Sequence, residues 1–145
     1  MADAANLSVI IVDDEFLIAR MMQYACEDIG MNVLCLCHGA QEAIDALTEH
    51  KPDVVLLDVR LDDTLDGVDV AQRIVAAQLG TKIIFATGST EPQTTARMRA
   101  VGPHAILNKP IYGEMVCEAV LHGKSSYLAM HENTARPGNE SDMTI

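Results

Sequence analysis

Asp13-Asp14, Asp58, Thr87 and Lys109-Pro110 each follow a short apolar run: Val9–Val12, Val54–Leu57, Ile83–Ala86 and Ala105–Leu107. If these runs are parallel strands, all four polar signals end at one edge of one sheet. Open parallel sheets bind ligands just beyond the carboxyl ends of their strands, near the point where strand order reverses. Three carboxylates, a hydroxyl and an ammonium would then share a small site suited to a divalent metal and a phosphoryl group. Three ionised carboxylates crowded together repel, and one would ordinarily keep its proton. A hard cation relieves that conflict. Mg2+ prefers oxygen ligands at about 2.0–2.1 Å, keeps several waters, and takes one or two carboxylates plus a phosphate.

Taken singly, each signal has a plainer meaning. An Asp pair after a strand is usually a turn or a helix cap, Asp often ends strands, Thr87 reads as a capping hydroxyl and Lys109 as a solvated lysine. Four such coincidences at one sheet edge point to chemistry instead.

The elements that must position these groups alternate along the chain. Ile18, Met21, Met22, Ala25 and Ile29 recur at helical spacing up to Gly30, with the methionines expected in the core. Val33–Cys37 reads as a second strand, and Ala40, Ala43, Ile44 and Leu47 as a helix closed before Pro52. A polar loop, Arg60–Asp66, precedes a helix marked by Val70, Ala71, Ile74 and Ala77. Glu91-Pro92 resembles a helix start, but Gln93–Val101 is mostly polar or small and is the least securely anchored element. Tyr112, Met115, Val116 and Ala119 mark a last helix, fading at Gly123. Five strand–helix units with right-handed crossovers predict a doubly wound, five-stranded parallel sheet with helices on both faces. Unbroken Val/Ile/Leu runs fit strands buried on both sides. The expected domain is 1–123, and the polar segment 124–145 reads as a mobile tail.

Composition bounds the function. The 145 residues suffice for one domain with a real core, and 49% are hydrophobic. With 21 acidic against 10 basic residues the net charge is −11, which disfavours binding to nucleic-acid backbones. Only 3% of residues are aromatic and Trp is absent, so stacking platforms for bases are also lacking. No apolar stretch approaches the roughly 18–20 residues that span a bilayer, and MADAANLSV lacks the charge pattern of a secretory signal. A cytoplasmic protein with protein or ion partners is expected. Cys26, Cys35, Cys37 and Cys117 read as buried reduced thiols rather than a zinc site, because no second ligand pair stands at the right spacing. The five histidines show no ligand spacing and read as surface or loop residues.

The chain resembles the receiver domains of bacterial two-component response regulators. The resemblance lies in Asp13-Asp14, in Asp58 within Leu56-Leu57-Asp58-Val59-Arg60-Leu61, and in Asp66-Gly67, Thr87, Gly102 and Lys109-Pro110, and spans about Leu7 to His122. It implies the flavodoxin-like strand order 2-1-3-4-5 with five helices. It makes Asp58 the acceptor of a phosphoryl group from a histidine kinase or phosphotransfer protein. It further implies Mg2+ held by Asp14, Asp58 and the backbone carbonyl of Arg60, with Asp13 acting mainly through water. Lys109 would neutralise charge, Thr87 would turn its hydroxyl to the phosphoryl oxygen, and the Lys109-Pro110 bond would be cis. No further cofactor is implied. Such a stand-alone receiver would signal through a protein target or a homodimer, using the face of the fourth helix, fifth strand and fifth helix. Arg97 and Arg99 would give that face local positive charge.

Three departures from the family stand out. Ile106 occupies the place of an aromatic residue that usually swings inward as Thr87 moves. Phe85-Ala86-Thr87-Gly88 resembles a subgroup lacking that aromatic switch, with Thr90 where the subgroup has Tyr. Gly88 leaves the site mouth open, so the loop and fourth helix are expected to be ordered by phosphate. The loop holding Asp62, Asp63 and Asp66 is one residue longer than is common, and reads as a solvated acidic loop. Competing readings are a phosphate sink that drains a kinase, a module that works without phosphorylation, and a small Mg2+-dependent phosphohydrolase. The last generally needs an acid two residues after the nucleophile, where this chain has Arg60.

Overall fold

A computed structural model describes residues 4–61, 64–89 and 91–122. Strands and helices alternate throughout: β1 (Ser8–Val12), α1 (Phe16–Asp28), β2 (Asn32–Cys37), α2 (Ala40–His50), β3 (Val54–Leu57), α3 (Gly67–Ala76), β4 (Lys82–Thr87), α4 (Pro92–Val101), β5 (Ala105–Asn108) and α5 (Gly113–His122). All pairings are parallel and the order is β2-β1-β3-β4-β5. The expected topology and helix count hold, and the order reverses between β1 and β3.

Successive strand residues point to opposite faces, and both faces are covered. Ile10, Val12, Val55, Leu57, Ile83, Phe85 and Ile106 pack with Ala43 and Leu47 of α2, Ile74 of α3 and Met98 of α4. Val9, Ile11, Leu56, Ile84, Ala86 and Leu107 pack with Ala19, Met22 and Cys26 of α1 and Val116 and Val120 of α5. An apolar layer on each face fixes the register of all five strands, so their carboxyl ends lie level. That alignment brings the site together.

Local features tie down the ends. Asp53 accepts hydrogen bonds from the backbone and hydroxyl of Ser8 (2.8 and 3.0 Å), joining β1 to β3 at the amino edge of the sheet. Asp66 and Asp69 form a reciprocal capping box at the start of α3 (2.9 Å each way), satisfying two of its free N–H groups. Gly102 ends α4 with φ +75°, a conformation glycine adopts without steric cost.

Several expectations need correction. Met21 is 58% exposed, while Met22 is buried. The α1 core stripe runs through Ala19, Met22 and Cys26, and Met21 lies one residue, about 100°, off it. Tyr112 precedes α5 and is 59% exposed, and Ala77 is the exposed C-cap of α3 rather than part of its apolar face. All four described thiols are free, but only Cys26 and Cys37 are buried. Cys35 and Cys37 face the same way, with Sγ atoms 3.9 Å apart. Burial raises the Cys26 thiol to about 12, and burial beside Cys35 pushes Cys37 up as well, which suits inert packing. The weak anchoring of α4 is borne out, since Met98 is its one buried side chain. Asp62, Asp63, Thr90 and the segment 123–145, with its expected mobile tail, lie outside the described residues.

Candidate functional site

β1 delivers Asp13 and Asp14, β3 delivers Asp58, β4 ends on Thr87, and β5 leads into Lys109. The backbone ladder continues past the strands to hold these positions level. The Asp13 N–H donates to the Cys37 carbonyl (3.0 Å), Asp58 N–H to Val12 (2.9 Å), and Lys109 N–H to Thr87 (2.9 Å). The Lys109-Pro110 peptide is cis, as expected.

Carboxylate oxygens of Asp13, Asp14 and Asp58 lie within 4.8 Å of one another. Asp13 is fully buried, and Asp58 and Thr87 are nearly so. The Lys109 ammonium donates to Asp13 Oδ2 at 2.6 Å and to Asp58 Oδ2 at 3.2 Å. Burial works against the charge on Lys109, but the two carboxylates outweigh it and hold the amine above its ordinary range. Asp58 is also shifted up, to about 6, which for a carboxyl disfavours the charge. Loss of solvent is the main cause and the Asp13 charge adds to it, with Lys109 opposing. One cation against three acids leaves the cluster short of positive charge. The donors are all hard oxygens, so the set fits Mg2+ and not a thiophilic metal.

Thr87 Oγ1 accepts from the Ser89 N–H (3.0 Å), which leaves its own proton available for another acceptor. A cavity of about 690 Å³ opens beside these groups, lined by Asp14, Asp58, Arg60, Thr87 and Lys109 on one side and by Asp66, Glu91 and Arg97 on the other. Gly67 packs against the loop that carries Asp58: a Cβ there would overlap the backbone carbonyl of Asp58. The close approach of α3 to the Asp58 loop therefore requires glycine.

Asp13, Asp14, Asp58, Thr87 and Lys109 thus border one site, with Arg60 in the loop that lines the cavity. Two neighbours were not legible. His38 Nδ1–H donates to the Asp13 carbonyl (3.0 Å), and its ring lies 5.1 Å from that of Phe16. Its position just past β2, at the same sheet edge, was the available signal. Arg97 does not serve as bare positive charge on an outer face. It donates to Asp66 Oδ2 (2.7 Å) and Oδ1 (3.3 Å) and lies 3.7 Å from Asp69. Burial opposes the charge on Asp66, but Arg97 and the Asp69 N–H outweigh it and hold the carboxyl below its ordinary range. Asp66 is therefore a cap and an ion-pair partner rather than merely a solvated loop acid.

An acidic pocket with one clamped lysine, at the carboxyl edge of a 2-1-3-4-5 parallel sheet, is the arrangement of a two-component receiver. The chain belongs to the response regulator receiver domain family, whose profile matches residues 9–121. It is 32% identical over 108 residues to a protein-glutamate methylesterase/protein-glutamine glutaminase of Nitrosospira multiformis, covering 72% of this chain and 30% of that protein. It is likewise 32% identical over 110 residues to the transcriptional regulatory protein PdtaR of Mycobacterium tuberculosis, covering 75% of this chain and 53% of that one. The chain thus spans between about a third and just over half of the length of these relatives. Among solved structures, the signal receiver domain of a modulated diguanylate cyclase from Desulfovibrio desulfuricans G20 superposes with a TM-score of 0.71 at 33% identity. That match covers 88% of this chain and 95% of the other. Among the described residues, no helix is long and apolar enough to cross a membrane.

Proposed function

We propose that the protein is a phosphoacceptor: Asp58 takes a phosphoryl group from the phosphohistidine of a kinase or phosphotransfer protein. The observation that supports this best is the three-carboxylate cluster with Lys109 bonded to two of its members. Phosphoryl transfer needs positioning and charge neutralisation more than covalent help. Asp58 attacks the phosphorus, its P–O bond forming as the donor's P–N bond breaks. Lys109 stays beside the attacking carboxylate and offers its ammonium to the charge gathering on the phosphoryl oxygens. Thr87 donates its hydroxyl proton to one of those oxygens. Asp13, Asp14 and Asp58, with the Arg60 carbonyl, would hold Mg2+. Bound there, Mg2+ supplies the remaining neutralisation for the transfer.

The donor docks beside the site on α1. Phe16, Leu17, Met21 and Tyr24 are each more than half exposed and form an apolar stripe that begins two residues after Asp14. Large apolar groups gathered on one helix face suit a partner helix. Output passes to a protein target or a second copy through α4, β5 and α5, and the family's setting makes a cytoplasmic location the natural one. The phosphohydrolase reading is disfavoured by Arg60, which stands where a catalytic acid is needed.

Incubation with acetyl phosphate and Mg2+, followed by intact mass, tests this reading. One phosphoryl adduct is expected on the wild-type chain and none on Asp58→Ala. Sustained turnover of assorted phosphate esters would favour a hydrolase, and a chain without adduct would favour a phosphorylation-independent module.

A further inference from the structure

Asp66 links the phosphoacceptor to α4. On one side it is the N-cap of α3, and Gly67 directly after it packs against the Asp58 carbonyl. On the other, its two carboxylate oxygens each accept a hydrogen bond from Arg97, in the middle of α4. The backbone of Asp58, the start of α3 and the body of α4 are thereby in continuous contact. The apolar anchoring of α4 is thin: Met98 is its one buried side chain, and Val101 packs half-buried at its end. Beneath it lies Ile106, a buried aliphatic residue with no polar tip that could exchange partners.

We propose that Arg97 is the positioning residue that couples the phosphoryl state of Asp58 to α4, by pinning the helix to the Asp66–Asp69 capping box. The proposal rests on the phosphoacceptor reading of Asp58. Two attachments then act on α4. Its amino end follows the loop after β4, where Thr87 Oγ1 holds the Ser89 N–H and Ser89 Oγ accepts from the Glu91 N–H (3.3 Å). Its middle is held by the guanidinium. When Thr87 turns to a phosphoryl oxygen, the loop pulls one end of a helix whose centre is fixed, and the helix tightens in one orientation. Without the pin, the same pull is lost in a helix whose one buried side chain is Met98, with Val101 half-buried at its end. The fork of an arginine matters because two N–H donors on two oxygens set orientation as well as distance. A half-exposed pair of this kind contributes little to global stability, so its main effect is on where the helix sits.

The test uses the full chain as wild type, Arg97→Gln and Arg97→Lys, each with acetyl phosphate and Mg2+. Intact mass reads phosphoryl uptake, and amide hydrogen exchange reads residues 92–101. All three chains are expected to take up the phosphoryl group. Exchange in wild-type α4 should slow about tenfold on phosphorylation, change less than about twofold in Arg97→Gln, and respond to an intermediate degree in Arg97→Lys. A merely structural role would speed exchange in both states of Arg97→Gln and preserve the tenfold difference, which would overturn the proposal. So would a wild-type α4 indifferent to phosphorylation, or an Arg97→Gln chain that no longer accepts the phosphoryl group. Absence of the adduct in the wild type is seen separately, by mass, and would overturn the phosphoacceptor reading together with this one.

Discussion

Asp58 is an acid whose charge the folded chain discourages. Unfolded, it titrates near 3.8; folded, loss of solvent and the Asp13 charge move it up to about 6. Between those values the folded chain binds the extra proton, so metal-free stability falls as pH rises through the window, by on the order of 3 kcal/mol. Asp58→Asn lacks that cost. In chelator at about pH 7 it should unfold at higher urea than the wild type, with the two midpoints converging toward about pH 4. A midpoint difference that stays constant across this range would contradict the assignment. Gly67→Ala is expected to act in the opposite direction. Its methyl group must displace the Asp58 carbonyl, costing about 1–3 kcal/mol and slowing phosphoryl uptake from acetyl phosphate. Calorimetry and the rate of adduct formation measure the two effects. The acids themselves were legible because each follows an apolar run. His38 and Arg97 were not, since their contacts cross 25 and 31 residues of sequence and leave no local period.

Elements differ in how much of their role the sequence announced. Strands buried on both faces read directly as apolar runs, and the 2-1-3-4-5 order agrees with the family resemblance. The weakness of α4 was also visible, in a helix where Met98 is the one buried residue. Helix α1 was read less well, because its apolar residues exceed what its core stripe can bury. Ala19, Met22 and Cys26 fill the interior, and Leu17 is left 77% exposed. That surplus is the basis for placing the donor on α1. Leu17→Glu should slow phosphoryl transfer from a phosphorylated donor protein by about tenfold or more, by removing a central apolar contact. Uptake from acetyl phosphate, which needs no docking surface, should stay within about twofold. Equal loss with both donors would place the defect in the site rather than in docking.

Across the whole molecule, a net charge of −11 is distributed so that three acids converge on one cavity opposite a single lysine. A divalent cation that binds this arrangement only in the folded chain must stabilise it by mass action, by about 2.7 kcal/mol at a hundred times its dissociation constant. Thermal melts should therefore shift upward with Mg2+ in the wild type and distinctly less in Asp14→Ala. Equal shifts would place the ion elsewhere. The sequence made the α/β sheet and its acidic edge legible, because alternating elements leave few ways to wind a parallel sheet. How a signal leaves that edge was not legible, since with Ile106 at the usual aromatic position the route depends on contacts between elements distant in sequence. The central claim is that Asp58 carries the phosphoryl group, and borohydride trapping tests it most directly. The chain is treated with acetyl phosphate and Mg2+, reduced, digested and sequenced by mass. Reduction of an acyl phosphate at Asp58 should leave homoserine at position 58 and nowhere else. Homoserine at Asp13 or Asp14, or an unmodified Asp58 in a chain that has gained a phosphoryl group, would contradict the account.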